Sequence, residues 1–156
     1  MTVHDILYKR IGQRLTDGIF QSFVIDGQII DKFNVVFLKF DLWLTIATSE
    51  ERTFIKQIET VEQIKSFSTD YNSTFEYPLS KIENEFPDFK KFIGQTLHSF
   101  NELIWIDNSN ISGGLKLYFE NGLSLTLYDE WKDGDNRMNF SFDNKLPDKL
   151  KEKINA

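Results

Sequence analysis

The chain has 156 residues, a formal net charge of −6, 40% hydrophobic and 27% charged side chains, and no cysteine. That length suits one domain, 1–156, with a proper buried core, and the missing cysteine excludes disulfides, thiolate metal sites and a cysteine nucleophile. The charge argues against nonspecific nucleic-acid binding, which needs an excess of Lys and Arg, and it turns the expectation toward a basic partner. The acidity is evenly spread: eight basic side chains face eleven acidic ones in 1–78, and ten face thirteen in 79–156, so no basic arm hides in the average. Phe is abundant, with 15 copies against 2 Met, which suits an aromatic core on pleated sheet.

The start, MTVHDILYKR, lacks the apolar run and small-residue site of a secretory signal, and no segment approaches the roughly 20 apolar residues of a membrane helix. A cytoplasmic location without membrane contact is expected. On that expectation the glycosylation sequons at Asn72, Asn110 and Asn139 are chance matches.

Residues 3–16 predict a helix. Thr2 and Asp5 form a capping pattern, Val3, Leu7, Ile11 and Leu15 fall four apart, and Gly18 follows as a stop. Its apolar stripe suits packing on the domain's own sheet or a partner helix.

From Ile19 to Ile64 the chain reads as an antiparallel meander. Asp26-Gly27 signals a turn, Val35 to Phe40 is a nearly continuous apolar run, Leu42, Leu44 and Ile46 alternate with Trp43, Thr45 and Ala47, and Thr53–Ile58 follows. Residues 66–80, rich in Ser, Thr and Asn, predict a long surface loop. The box Ser80-x-x-Glu83 and Pro87 predict a second short helix with Phe86, Phe89 and Phe92 or Ile93 inward, ending at Gly94.

Strands are then expected over Gln95–Phe100 and Leu103–Ile106, with a loop at Asp107–Asn110. The sharpest signal is Gly113–Tyr128, two alternating strands around Asn121-Gly122, which predicts a type I′ hairpin. Asp133-Gly134 marks another tight turn. Met138, Phe140 and Phe142 alternate in a last strand, and Pro147 predicts a short C-terminal helix with Leu150 and Ile154 on one face. The expected class is therefore α+β, an antiparallel sheet with N-terminal, middle and C-terminal helices.

An internal echo adds two similar β units, 19–64 and 86–142. Ile25-Asp-Gly-Gln through Phe33 lines up with Phe92-Ile-Gly-Gln through Phe100, each followed by an alternating strand. Duplication explains this, and so does convergence on turn-then-strand chemistry.

Short chemical motifs are missing. His4 and His98 are the two histidines, and neither sits in a zinc-binding spacing. Asp129–Asp135 fails the calcium-loop formula, which needs Asp or Asn where Trp131 stands and Glu where Phe140 stands. Phosphate-cradling glycine loops and the Gly-x-Ser-x-Gly elbow are absent. No metal or cofactor is expected. The acidic run Asp129, Glu130, Asp133 and Asp135 around Trp131, against Lys132, has the composition of a protein-binding surface, an aromatic anchor ringed by steering charge. A solvated loop with Trp131 folded back on the sheet is the alternative.

Phe89-x-x-Phe92-Ile-Gly-Gln95, Gly114-Leu-Lys-Leu-Tyr-Phe-Glu-Asn-Gly122 and Leu125-Thr-Leu-Tyr-Asp-Glu130 together resemble small bacterial domains of uncharacterised function, several families of which are similar to immunity proteins of polymorphic toxin systems. The resemblance covers about residues 86–142 and rests on strand and turn residues. It implies an acidic cytoplasmic protein that caps a toxin domain, often a basic nuclease, and it carries no catalytic residues. The leading expectation is thus a non-enzymatic binding domain with Asp129, Glu130, Trp131, Asp133 and Asp135 in its contact surface. A β domain holding a small apolar ligand, and an enzyme centred on His98 beside a carboxylate, are the other readings.

Overall fold

Alternating apolar strands joined by short polar turns fold here into two antiparallel sheets. The computed structural model describes residues 2–49, 51–58, 75–132 and 135–154. Helix α1 (Val3–Tyr8) precedes β1 (Asp17–Ile25), β2 (Gln28–Lys39), β3 (Trp43–Ser49) and β4 (Arg52–Ile58). Strands β5 (Phe75–Glu76) and β6 (Leu79–Lys81), helix α2 (Ile82–Glu85) and a 3₁₀ helix (Pro87–Phe92) follow. Then come β7 (Leu97–Trp105), β8 (Asn108–Phe119), β9 (Ser124–Lys132), β10 (Asp135–Ser141) and β11 (Leu150–Glu152). The sheet orders are β4-β3-β2-β1-β5, with β6 also on β1, and β10-β9-β8-β7-β11. Among the described residues no helix is long and apolar enough to cross a membrane.

The helices differ most from expectation. The Thr2–Asp5 capping box forms in both directions, at 3.1 Å each way, yet α1 ends at Tyr8 rather than running to residue 16. Gly12, at φ +88°, turns the chain out of the helix, and the backbone of 12–15 bonds to that of 95–97 instead. The stripe splits accordingly: Leu7 and Leu15 are fully buried while Ile11 is exposed. The middle helix is one α turn with no side-chain cap, then the 3₁₀ helix. It buries Phe89 and Phe92, with Phe86 packed beside them.

The expected C-terminal helix is a strand. Leu150–Glu152 pairs with the open edge of β7, and Leu150 seats against Gly113, leaving Ile154 exposed. An unpaired strand edge offers a row of backbone groups that a short helix could not satisfy. Likewise the 75–80 end of the expected surface loop contributes edge strands β5 and β6 on β1; residues 66–74 lie outside the described residues, as do 59–64 and the turn Asp133-Gly134. The two strands expected over 95–106 are one, β7, and Asn108–Asn110 already belongs to β8.

The type I′ turn sits elsewhere than expected. Asp26 and Gly27 both have positive φ, 49° and 78°, between the paired residues Ile25 and Gln28. At Asn121-Gly122 only Gly122 is left-handed; Gly122 N donates to Phe119 O (3.0 Å) and Phe119 N to Leu123 O (2.9 Å). That is a type I turn closed by a glycine bulge, one residue longer than the tight alternative. The strands it joins keep the expected alternation, with Leu115, Leu117, Phe119, Leu125 and Leu127 buried.

The faces packed between the sheets carry an aromatic cluster. Phe33 contacts Phe20, Phe86 and Phe140 at centroid separations of 4.9, 5.5 and 5.2 Å, and Phe92 contacts Phe119 at 5.3 Å. These spacings are those of favourable edge and offset contacts. The outer face of the second sheet is closed by the C-terminal segment: Lys116 Nζ donates to Asn144 O (3.0 Å), and Ser124 Oγ to Asn144 Oδ1 (2.8 Å). Asn101 donates to Glu152 (3.1 Å), and Tyr118 OH bonds the same carboxylate.

The two sheets repeat one pairing pattern. Val36↔Ile46, Phe37↔Thr45, Leu38↔Leu44 and Lys39↔Trp43 correspond to Leu115↔Leu127, Lys116↔Thr126, Leu117↔Leu125 and Tyr118↔Ser124. Each meander also has its first strand flanked by a later, short edge strand.

The closest approach of the backbone is at Gly114, at φ +139°, where a Cβ would sit 1.9 Å from Leu127 O. Gly114→Ala should cost more than about 3 kcal/mol or prevent folding, because strain and overlap add. Gly122→Ala, with open space around it, should cost about 1 kcal/mol. Urea denaturation of both variants checks this, and equal costs would refute the close approach.

Candidate functional site

The acidic run occupies the end of the β9–β10 hairpin, and pairing fixes which face each residue takes. Asp129 lies opposite Met138, Glu130 opposite Arg137, Trp131 opposite Asn136, and Lys132 opposite Asp135. Asp129 shares the inward face with Met138 and is only 8% exposed, so it is turned into the structure rather than displayed on the tip. Glu130 takes the other face, half-buried, and accepts a 2.7 Å hydrogen bond from Asn139 Nδ2. For Trp131 and Asp135 only the backbone pairing is described, and Asp133 lies outside the described residues.

Comparison with the corresponding hairpin, β3–β4, shows what is particular to this one. There the last pair is Ser49↔Arg52, which corresponds in register to Glu130↔Arg137. Beyond that point the second hairpin adds Trp131↔Asn136 and Lys132↔Asp135. The acidic, Trp-bearing tip is therefore an extension that the first hairpin lacks.

The two junctions between the sheets differ in the same place. Where β4 meets β8, Thr48, Thr53 and Ser112 join hydroxyl to hydroxyl, with Thr53 Oγ1 2.7 Å from Ser112 Oγ, and Ser112 N donates to Glu51 O at 2.9 Å. Where β10 meets β2, Asp129 and Met138 take the places of Thr48 and Thr53. The junction opens into a cleft of about 260 Å³ lined by Asp31, Lys32, Phe33, Glu130, Arg137 and Asn139, with Met138 beneath. Arg137 reaches across it to the Ile30 carbonyl, and Lys32 is engaged by Glu85 at the rim. Asp31 Oδ1 is buried without a hydrogen-bond donor. Burial raises the Asp31 pKa above the ordinary carboxylate value, outweighing the pull of Arg137.

Glu130 also borders a second cleft of about 180 Å³ with Trp105, Tyr128, Asp129, Asp148 and Lys149. Burial, then the charges of Glu130 and Asp143, push the Tyr128 hydroxyl pKa up. Exposed Ile29 and Ile30, 60% and 39% accessible, form an apolar shoulder where β2 meets Arg137.

His98 is exposed, with its Nδ1 3.1 Å from Ser99 Oγ, and borders neither cleft. Among the described residues no three His, Cys, Asp or Glu side chains are placed to hold a metal ion. The sequence singled out Glu130 and its neighbours but missed Asp31, Arg137 and Asn139. Their one signal was a charged pair, Asp31-Lys32, interrupting an apolar strand. Compared with protein-family models, with curated proteins and with solved structures, the chain finds no significant match in any of the three.

A folded-state pKa raised above the unfolded value means stability that is full below the unfolded pKa and lost as pH rises through the folded one. Ionised Asp31 is thus a burden at neutral pH. Asp31→Asn should be more stable than the parent at pH 7, with the gain shrinking as pH falls toward about 3.9, the ordinary Asp value. Denaturation midpoints across that range test the sign; a variant less stable at pH 7 would contradict it.

Proposed function

We propose that this chain is a non-enzymatic protein-binding domain, and more specifically an immunity-type inhibitor that caps a basic toxin domain. The extended β9–β10 tip is the observation that carries the reading: one hairpin outgrows its counterpart by two residue pairs, and the added length holds Trp131 within the run Asp129, Glu130, Asp133 and Asp135. At the base of the tip, Glu130 and Arg137 line the cleft with Asp31, and Arg137 reaches the carbonyl of exposed Ile30. An aromatic anchor, apolar shoulder and carboxylate rim suit a partner presenting Lys and Arg, with charge speeding encounter and the apolar residues slowing release. The net charge of −6 acts in the same direction. An apolar-ligand role fits less well, since the Phe side chains that would line such a cavity pack on each other at 4.9–5.5 Å.

The test is co-purification from the native host, followed by affinity measurement with the captured partner. Trp131→Ala and Asp133→Lys should each weaken binding at least about 30-fold, the effect of removing a hot-spot contact of about 2 kcal/mol. The charge variant should also reduce the salt dependence of the association rate. Absence of any protein partner, or binding indifferent to both changes, would sink the proposal.

A further inference from the structure

The sequence contains Ile-Gly-Gln-x-Leu twice, at 11–15 and at 93–97. Five residues are a weak coincidence alone. In the fold, however, the two segments lie against each other antiparallel, around the bridge Arg14↔Thr96. Gly12 N donates to Leu97 O (2.9 Å) as Gly94 N donates to Leu15 O (2.6 Å). Leu15 N donates to Gln95 O (2.9 Å) as Leu97 N donates to Gln13 O (2.9 Å). Both glycines are left-handed, at φ +88° and +86°. Exchanging the two segments maps this bonding onto itself, which is the signature of a two-fold, self-complementary interface.

The same exchange carries the rest of the fold. Helix α1 corresponds to α2 and the 3₁₀ helix, β1–β4 to β7–β10, and the edge strands β5 and β6 to β11. Val36-Phe-Leu-Lys-Phe40 overlies Leu115-Lys-Leu-Tyr-Phe119, and Leu42-Trp-Leu-Thr-Ile46 overlies Leu123-Ser-Leu-Thr-Leu127, with matching partners. Strand β4 packs on β8 as β10 packs on β2. Gly94 thereby answers Gly12, not Gly27, which the 25–33 and 92–100 alignment would have matched with it.

We infer that residues 3–81 and 82–152 are two copies of one β unit joined in tandem, folded as an intramolecular two-fold dimer. The seam at 12–15 and 94–97 is an interaction surface whose fitting partner is a second copy of the unit. The joint is the bond between Lys81 and Ile82, where β6 runs directly into α2. Its two-fold counterpart is the gap between β11 and α1, the two ends of the described chain. Those ends do lie together: Thr2, Val3, His4 and Lys153 border one cleft, and Lys153 N donates to Glu102 O (2.8 Å) beside it.

The order of the units is then immaterial, and a circular permutant tests that. Residue 154 is joined to residue 2 by a short Gly-Ser linker and the chain opened between Lys81 and Ile82, with a control opened between Asp107 and Asn108. The 81/82 permutant should unfold in one transition at a urea midpoint close to the parent's. In the uncut chain, Gly12→Ala and Gly94→Ala should lower the midpoint equally, since both positions have the same φ and open space around a Cβ. Failure of the 81/82 permutant while the control folds overturns the joint. Failure of both overturns the adjacency of the ends, and unequal glycine effects overturn the equivalence of the seam.

Discussion

The fold depends on four backbone hydrogen bonds between residues 12–15 and 94–97. Each β meander could form its own ladder without them, but a meander alone has one face of Phe and Leu with nothing to cover it. The seam sets the first strand of one sheet beside the first strand of the other and so faces the two apolar surfaces together. Left-handed glycines open it on both sides; a helix continuing through Gly12 would have used the same backbone groups internally. The loss of about two helical turns from the N-terminal segment is offset by tertiary pairing, as expected where most helical stability comes from packing rather than propensity.

The aromatic core follows from that arrangement. Phe33 from one sheet, Phe140 from the other and Phe86 from the connecting turn meet within 5.5 Å of one another. Three different parts of the chain therefore share a contact, each ring contributing burial on the order of 2 kcal/mol and geometry worth about 1 kcal/mol more. The connecting segment needs no long helix for this purpose. A single α turn and a 3₁₀ turn deliver Phe86, Phe89 and Phe92 at the right depth.

What could be read in the sequence was the strand pattern, because a period of two is local. The runs Trp43–Ile46, Leu115–Phe119 and Ser124–Leu127 alternate in the sequence and lie in β strands, with Leu44, Ile46, Leu115, Leu117, Phe119, Leu125 and Leu127 inward. What could not be read was anything decided by a distant partner. The fate of residues 9–16 depended on the segment at 94–97, that of 150–152 on the open edge of β7, and the choice of turn at Asn121 on one residue of loop length. The candidate site divides the same way. The acidic tip is contiguous in sequence, whereas Asp31 and Arg137 are separated by more than a hundred positions and meet only because β2 and β10 adjoin. Asp129 misled for the opposite reason: local charge suggested display, but its place opposite Met138 turned it inward.

Departures from the two-fold pattern bear on where function lies. A pattern-preserving position needs no explanation beyond folding; a departure that costs stability does. At one junction Thr48, Thr53 and Ser112 satisfy one another; at the other a desolvated Asp31 carboxylate stands in an open cleft beside Glu130 and Arg137 of the lengthened hairpin. Retaining an unsatisfied buried carboxylate oxygen is unfavourable in the isolated protein. A partner's Lys or Arg inserted beside Asp31 and Glu130 would supply the missing donor, and the same contact would bring the Trp131 tip over the partner's surface.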